Sequence, residues 1–452
     1  MPYGSAIKMY LFTIESRYRS AMSAAETSQG LIRGRITDAD IELLKRRIGY
    51  TNPTLRAGVT IAPWNPKANE DAIRRYAMSI GDDNPLYVEP GYAQRTRWGA
   101  ALAPPGFEWS MGWNRSPEVS SELNAETHKA LRGVQLYHSG AEYFYYRPVT
   151  DGVELYKSEW LADIAEKQSR FANRSVITTN RNAFWDQHEQ VAITSSRWFV
   201  HAERRALKDG ESAAEKEAKT KEASAQEDNI VYTDQQREEI EAAYDNQFLR
   251  GANTLYLEDA VVGQSTPLMV KGPLTITDMI NMHMGTGWIT YPNLPFRLAY
   301  ENRKRLRGFY SLNEYGGWDS IQRVHWDASL AHSIGVKHIY DIGPMRFVML
   351  CHYLTNFAGD DAWIHRIRYE LRNFNYVGDT TWLSGTITAV RVDDKLGPLL
   401  ELKITGVNQR GQENLRGEAT ILVASRQHGP VRLPTPPAMP QYRSSKPTQP
   451  GI

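Results

Sequence analysis

Four alternating, turn-bounded strand segments follow one another without an intervening helix at 141–203, and four more do so at 363–425. Each run is rich in Val, Ile, Thr and aromatic residues at a period of two, which predicts strands buried on one face. Helical patterns precede each run. A short amphipathic helix is expected from Asp71 to Gly81 and another from Asp278 to Gly287. A later helix in each half opens at a Gly/Pro break: 103–112 in the first, and 343–359 in the second, with Pro344 at a favoured first-turn position and Gly359 at the stop. Helices followed by consecutive strands predict an α+β chain with an antiparallel sheet, because a doubly wound parallel sheet needs a helix between strands.

The two runs are separated by a charged, Ala/Ser-rich stretch, 205–250, which reads as a linker. Its end predicts a helix, with Thr233 and Gln236 at capping-box spacing and Ile240 and Tyr244 one turn apart. The expected organisation is a flexible leader at 1–30, one unit at 31–204, the linker with its helix at 205–250, a second unit at 251–426 and a proline-rich tail at 427–452. The shared order of elements predicts a duplicated unit whose sequences have diverged.

With 53 Lys+Arg against 52 Asp+Glu, the net charge of +1 argues against a nucleic-acid coat or an acidic tail protein. The single cysteine, Cys351, excludes an internal disulfide framework and a multi-thiolate zinc site. Five histidines between 325 and 365 lack metal-site spacing, so no metal is expected. No apolar run reaches the roughly 18 residues that cross a bilayer. Residues 9–14 are too short for a secretory segment, and a cytoplasmic location without membrane attachment is expected.

The segment 76–107, YAMSIGDDNPLYVEPGYAQRTRWGAALAPPGF, resembles the hydratase signature of the MaoC-like dehydratases and (R)-specific enoyl-CoA hydratases. Gly81, Asp82, Asn84, Pro85, Leu86 and Ala93 match that pattern, while Tyr87 stands at the family's His position. RVHWD at 323–327 resembles the end of the same signature, with His325 as the His, and 374–387 is similar to the family's strand entry. The resemblance implies a double hot-dog, two antiparallel sheets each wrapped around a central helix and joined edge to edge. It also implies reversible addition of water across the C2=C3 bond of an acyl-CoA thioester, with coenzyme A in the substrate and no further cofactor.

In that family an Asp and a His hold one water between them, and helix N-terminal amides meet the thioester oxygen. The resemblance makes His325 the candidate for proton transfer, with Asp319 as a substitute carboxylate, Asp327 as another within reach, and Asp82 as the signature's own acid. Two positions of the signature, Tyr87 and Asn84, are expected to line the acyl site. Helix starts at Gly106 and Gly343, with the Met345 amide, are candidate oxyanion donors. The basic stretch at 303–307, with Arg303 and Arg305 on opposite faces if it is extended, is a candidate clamp for coenzyme A phosphates. A thioesterase on the same fold and a non-catalytic acyl-CoA-binding or pairing subunit are the alternatives. The expected partner is a small-molecule acyl-CoA, in a homodimer that binds no nucleic acid.

Overall fold

The computed structural model describes residues 34–53, 63–167, 174–203, 231–287, 295–334 and 336–440. The expected leader at 1–30 and the linker at 205–230 lie outside these residues. The described helices are α1 (Asp38–Lys45), α2 (Glu70–Ser79), α3 (Pro85–Val88), α4 (Ser121–Thr127), α5 (Asp234–Asp245), α6 (Ile276–Thr286), α7 (Phe296–Arg305), α8 (Ala328–Ser333) and α9 (Gly343–Ala358).

All eight expected strands form. In the first half they are β2 (Gln135–Tyr145), β3 (Leu155–Lys167), β4 (Ser175–Asp186) and β5 (Val191–Ala202), with a two-residue strand β1 (Trp113–Asn114) beside β3. In the second they are β9 (Trp363–Leu371), β10 (Thr381–Asp393), β11 (Gly397–Asn408) and β12 (Glu413–Leu422), with a short β6 (Met269–Lys271) beside β10. Residues 310–312 and 318–320 form a separate hairpin, β7 and β8. The ten strands make one sheet in the order β1-β3-β4-β5-β2-β9-β12-β11-β10-β6. The four long strands of each half follow the same order outward from the middle, whereas the short edge strands differ, β1 lying parallel to β3 and β6 antiparallel to β10. The fold is a double hot-dog.

The halves meet where β2 pairs antiparallel with β9, from Gly140 opposite Glu370 to Phe144 opposite Arg366. At Gly140 a Cβ would sit 2.3 Å from the Tyr369 carbonyl oxygen, so only glycine lets the strands approach. Across the joint Arg366 Nε donates to Glu142 at 2.7 Å, and Trp363 Nε1 and His365 Nδ1 reach the Tyr145 carbonyl at 2.9 and 3.0 Å.

Helix α9 runs along the sheet, and every residue from Pro344 to Ala358 is buried. An all-round buried helix has no solvated face, so its polar residues need internal partners. Arg346 pairs with Asp341 at 2.8 Å and donates to the carbonyls of Asn373 and Asn414. Phe347 stacks on Tyr143 from the first half and on Tyr369 from the second. The helix is therefore core to both halves.

The counterpart expected at 103–112 is reduced to a single 3₁₀ turn, Phe107–Ser110. Pro105 disfavours the helical conformation at Pro104, Gly106 sits at φ +97°, outside the right-handed helical region, and Gly112 at φ +96° ends the segment. Helices α2 and α6, both expected, pack together, with Gly285 of α6 against Ser79 of α2. The capping box of α5 is present as read from Thr233 and Gln236. The Tyr244 hydroxyl on α5 donates to the Gly272 carbonyl at 2.9 Å and accepts from its amide at 3.0 Å, fixing α5 beside β6.

Because Phe347 joins both halves, Phe347→Ala should cost about 3–5 kcal/mol. Urea unfolding followed by tryptophan fluorescence and by far-UV circular dichroism should move to lower denaturant by the same amount in both signals. Two separated transitions in the unmutated protein would show that α9 does not couple the halves.

Candidate functional site

The loop after α2 is built by its own polar groups. Gly81 turns at φ +71°, the Asn84 amide donates to Asp82 Oδ1 at 3.0 Å, and Asn84 Oδ1 caps α3 by accepting from the Leu86 amide at 3.0 Å. Pro85 occupies the first turn of α3. This places Leu86 and Tyr87 inward, both buried. Asn84 is thus a cap of the loop rather than a wall of the pocket.

One oxygen of Asp82 serves this turn, but Oδ2 has no hydrogen-bond partner although the residue is only 1% exposed. Facing it is an imidazole that the sequence reading missed. His352 Nε2, from the middle of α9, lies 3.6 Å from Asp82 Oδ1, and Lys271 Nζ of β6 donates to His352 Nδ1 at 2.7 Å. An ammonium donating to Nδ1 leaves the proton of a neutral imidazole on Nε2, the nitrogen facing Asp82. Burial raises the Asp82 carboxyl to about 7 against the Asn84 amide and the Lys271 charge, which favour its ionised form. Burial also lowers Lys271 to about 8 and holds His352 well below the usual histidine range. The ligand atoms of Asp82, Asp83 and His352 lie within 4.8 Å of one another. The Lys271 ammonium already supplies positive charge to this cluster, and Asp83 is exposed, so the donor set is poorly matched to a cation.

Beside this cluster opens an aromatic pocket. Its walls include Leu86 and Tyr87 from α3, Trp98, Phe107, Tyr145 of β2, and Thr355 in the last turns of α9. Tyr87 lies beside Thr355 and feels the charge of Asp82, and burial raises its hydroxyl well above the usual tyrosine range. Glu108, from the 3₁₀ turn, is the carboxyl in this pocket that burial raises to about 7. The Tyr145 hydroxyl donates to its Oε1 at 3.0 Å and the Gly106 amide to its Oε2 at 2.8 Å. A carboxyl poised there can both give and take a proton near neutral pH. A lone acid in the otherwise apolar, Pro-Gly-bounded segment 103–112 was the available signal for Glu108. For His352, nothing local marks the residue apart from its neighbours on the helix.

Other expected site residues fall elsewhere. His325 lies in a satellite cluster with Val324, Leu330 and Tyr340. Its Nδ1 is 2.9 Å from the Tyr340 carbonyl, and burial lowers it to about 4, the pattern of a neutral histidine satisfied by backbone. The expected Asp319–His325 pairing is not among the described contacts; Asp319 Oδ1 accepts the adjacent Ser320 amide at 2.7 Å. Asp327 is also taken, capping α8 through the Leu330 amide and pairing with Arg323 at 2.8 Å.

The oxyanion donors expected from the sequence are occupied too. The Gly106 amide goes to Glu108, and the Met345 amide donates to the Ile342 carbonyl at 2.7 Å. Gly343 does open α9, and its Cα packs against His138, where a Cβ would lie 3.2 Å from the ring. The basic stretch is helical, not extended, through Arg305, so Arg303 and Arg305 do not alternate as strand residues do. Arg303 lies over the Trp318 ring at 4.5 Å, and Lys304 pairs with Glu301 on the same helix. The Arg305 side chain lies outside the described residues. None of the described helices is long and apolar enough to cross a membrane.

Comparison with known proteins places this site in context. The sequence model of the FAS1-like dehydratase domain region matches residues 56–195, which hold Asp82, Tyr87 and Glu108. A UPF0336 protein of Streptomyces avermitilis is 26% identical over 99 residues, 22% of this chain and 63% of that protein, so the chain spans under two thirds of that relative. A solved MaoC-like dehydratase superposes with a TM-score of 0.52 at 14% identity, covering 84% of this chain and 99% of that one. A conserved hypothetical protein of Mycobacterium tuberculosis, described as having a double hotdog fold, gives 0.45 at 10% identity over 82% of this chain and 98% of its own. Residues 56–195, which contain the signature at 81–93, thus match the FAS1-like dehydratase domain region, and the chain shares its fold with a MaoC-like dehydratase.

Proposed function

We propose that the chain is a hydratase/dehydratase acting on an acyl thioester, in the aromatic pocket between α3 and the C-terminal turns of α9. Residues 31–204 and 251–426 are taken as its two hot-dog units. The observation that carries the reading is Glu108: a buried carboxyl facing that pocket, raised to about 7, with Tyr145 and the Gly106 amide fixing its orientation. Hydration needs a group that takes a proton from water and returns one to C2, and a carboxyl titrating near working pH suits both transfers. In this proposal Tyr87 closes the side where the family has its histidine, with Thr355 lining the pocket beside it. Asp82, His352 and Lys271 lie behind it as a buried polar cluster that sets the potential at that wall. A coenzyme A thioester suits the family resemblance, and panels of enoyl-CoA chain lengths would define the acyl group.

Glu108→Gln keeps shape and hydrogen-bonding capacity while removing the titrating group. Its hydration rate with a preferred enoyl-CoA should fall by about 10²–10⁴, while Tyr87→Phe and His325→Ala should each stay within about tenfold. A Glu108→Gln rate equal to that of the unmutated enzyme would remove the proposed role.

Stability supplies a check independent of turnover. The folded protein holds the Glu108 proton up to about 7, whereas an exposed glutamate releases it near 4.5. The folded state therefore binds more protons between those values, and the contribution of this carboxyl to stability is fully present below about 4.5 and lost as pH rises through about 7. Glu108→Gln should accordingly gain stability relative to the unmutated protein between pH 5 and pH 8 in urea titrations. A pH-independent difference would mean that Glu108 titrates normally in the fold.

A further inference from the structure

Losing the first-half helix has a second result, on the face of the sheet where such a helix would have lain. A cavity of about 150 Å³ opens there, lined by Lys157 and Glu159 of β3, Asn182 of β4, Ser195 and Arg197 of β5, and Glu108. Polar atoms are normally paired when buried. Here Asn182 Nδ2, Ser195 Oγ and Arg197 Nε have no hydrogen-bond partner, and Asn182 and Ser195 are 4% and 5% exposed. Two of these three atoms can only donate, and the serine hydroxyl can turn to donate as well.

The charges also fail to balance. Glu159 is committed on both oxygens, one accepting from Asn180 Nδ2 at 2.7 Å and the other paired with Arg197. Lys157 is left without a hydrogen-bonding counterpart among the described residues. Lys157 and Arg197, both half-buried, face one carboxylate that is already committed, so the lining carries a positive charge without a counterpart wherever Glu108 holds its proton, below about pH 7. Burying such a charge without a partner is costly, and donors converging on the same space reduce that cost only when an acceptor occupies it. Burial already lowers the Lys157 ammonium, as expected for an ion short of compensation.

We propose that this cavity is a binding site for a singly charged carboxylate, held by Lys157, Arg197, Asn182 and Ser195. A single negative charge matches the net charge of the lining, whereas a phosphate dianion would meet Glu159 and Glu108 with a charge to spare. Glu108 lines both this cavity and the aromatic pocket. The carboxylate can therefore belong to a free small acid or to the far end of an acyl group whose thioester lies in the pocket. The second source rests on the thioester reading above, and the first does not.

Calorimetric titration of the full chain with propionate, orthophosphate, and two unreactive saturated thioesters, succinyl-pantetheine and butyryl-pantetheine, tests the site and separates the sources. Propionate should bind, and Lys157→Met and Ser195→Ala should each weaken it, Lys157→Met by about tenfold or more. Succinyl-pantetheine binding at least tenfold tighter than butyryl-pantetheine, with the difference abolished by Lys157→Met, assigns the carboxylate to an acyl group. Equal thioester affinities with propionate still bound assign it to a free acid and leave the carboxylate site standing. No binding of propionate or succinyl-pantetheine, phosphate binding as tightly as propionate, or undiminished affinity in a Lys157→Met protein that unfolds at the same urea concentration as the parent would overturn the proposal.

Discussion

Everything in this molecule hangs on the contact between β2 and β9. Ten strands form a single sheet because two strands from different halves approach within hydrogen-bonding distance, and the absence of a side chain at Gly140 permits it. Main-chain pairing alone contributes modestly per bond. The joint is reinforced by Arg366 with Glu142 and by two side chains on the Tyr145 carbonyl. Tyr145 is itself the residue that holds Glu108, so the strand that joins the halves also orients the proposed acid.

The second organising element is α9, whose burial on all sides forces its polar residues to find partners across the molecule. His352 meets Asp82 from the first half and Lys271 from β6, and Thr355, one turn on, lines the pocket beside Tyr87. The spacing of three residues puts both on one face of the helix. The first half thus contributes the signature loop and the second contributes the helix that faces it.

Strand order and type were legible because period-two alternation and turn residues are local properties. The runs at 141–203 and 363–425 contain β3 to β5 and β9 to β12 whole, and the end of β2. The capping box at Thr233 and the stop at Gly359 were local in the same sense. The shortening of the 103–112 helix was hidden because its apolar pattern fits a helix, and the two prolines act only on its first turn. The polar cluster was not legible because Asp82, Lys271 and His352 are 81 or more residues apart from one another in the chain and are brought together only by tertiary folding. His325 misled for the converse reason: a motif-like neighbourhood, RVHWD, whose histidine the fold spends on a backbone carbonyl while Arg323 and Asp327 stitch the surrounding turn.

The mirrored strand order has a consequence for how copies of this chain can meet. A sheet grows by offering unpaired main-chain groups at its margins, and the longest candidates, β2 and β9, have already satisfied one another inside a single chain. What remains at the margins is β1, two residues long, β6, three residues long and covered by α5 through Tyr244, and the outer edges of β3 and β10 beyond those short strands. β1 and β6 themselves offer few rungs to a neighbour. A strand-to-strand contact between copies is thereby confined to the outer ends of β3 and β10, a geometry different from the central β2–β9 contact that the chain has internalised.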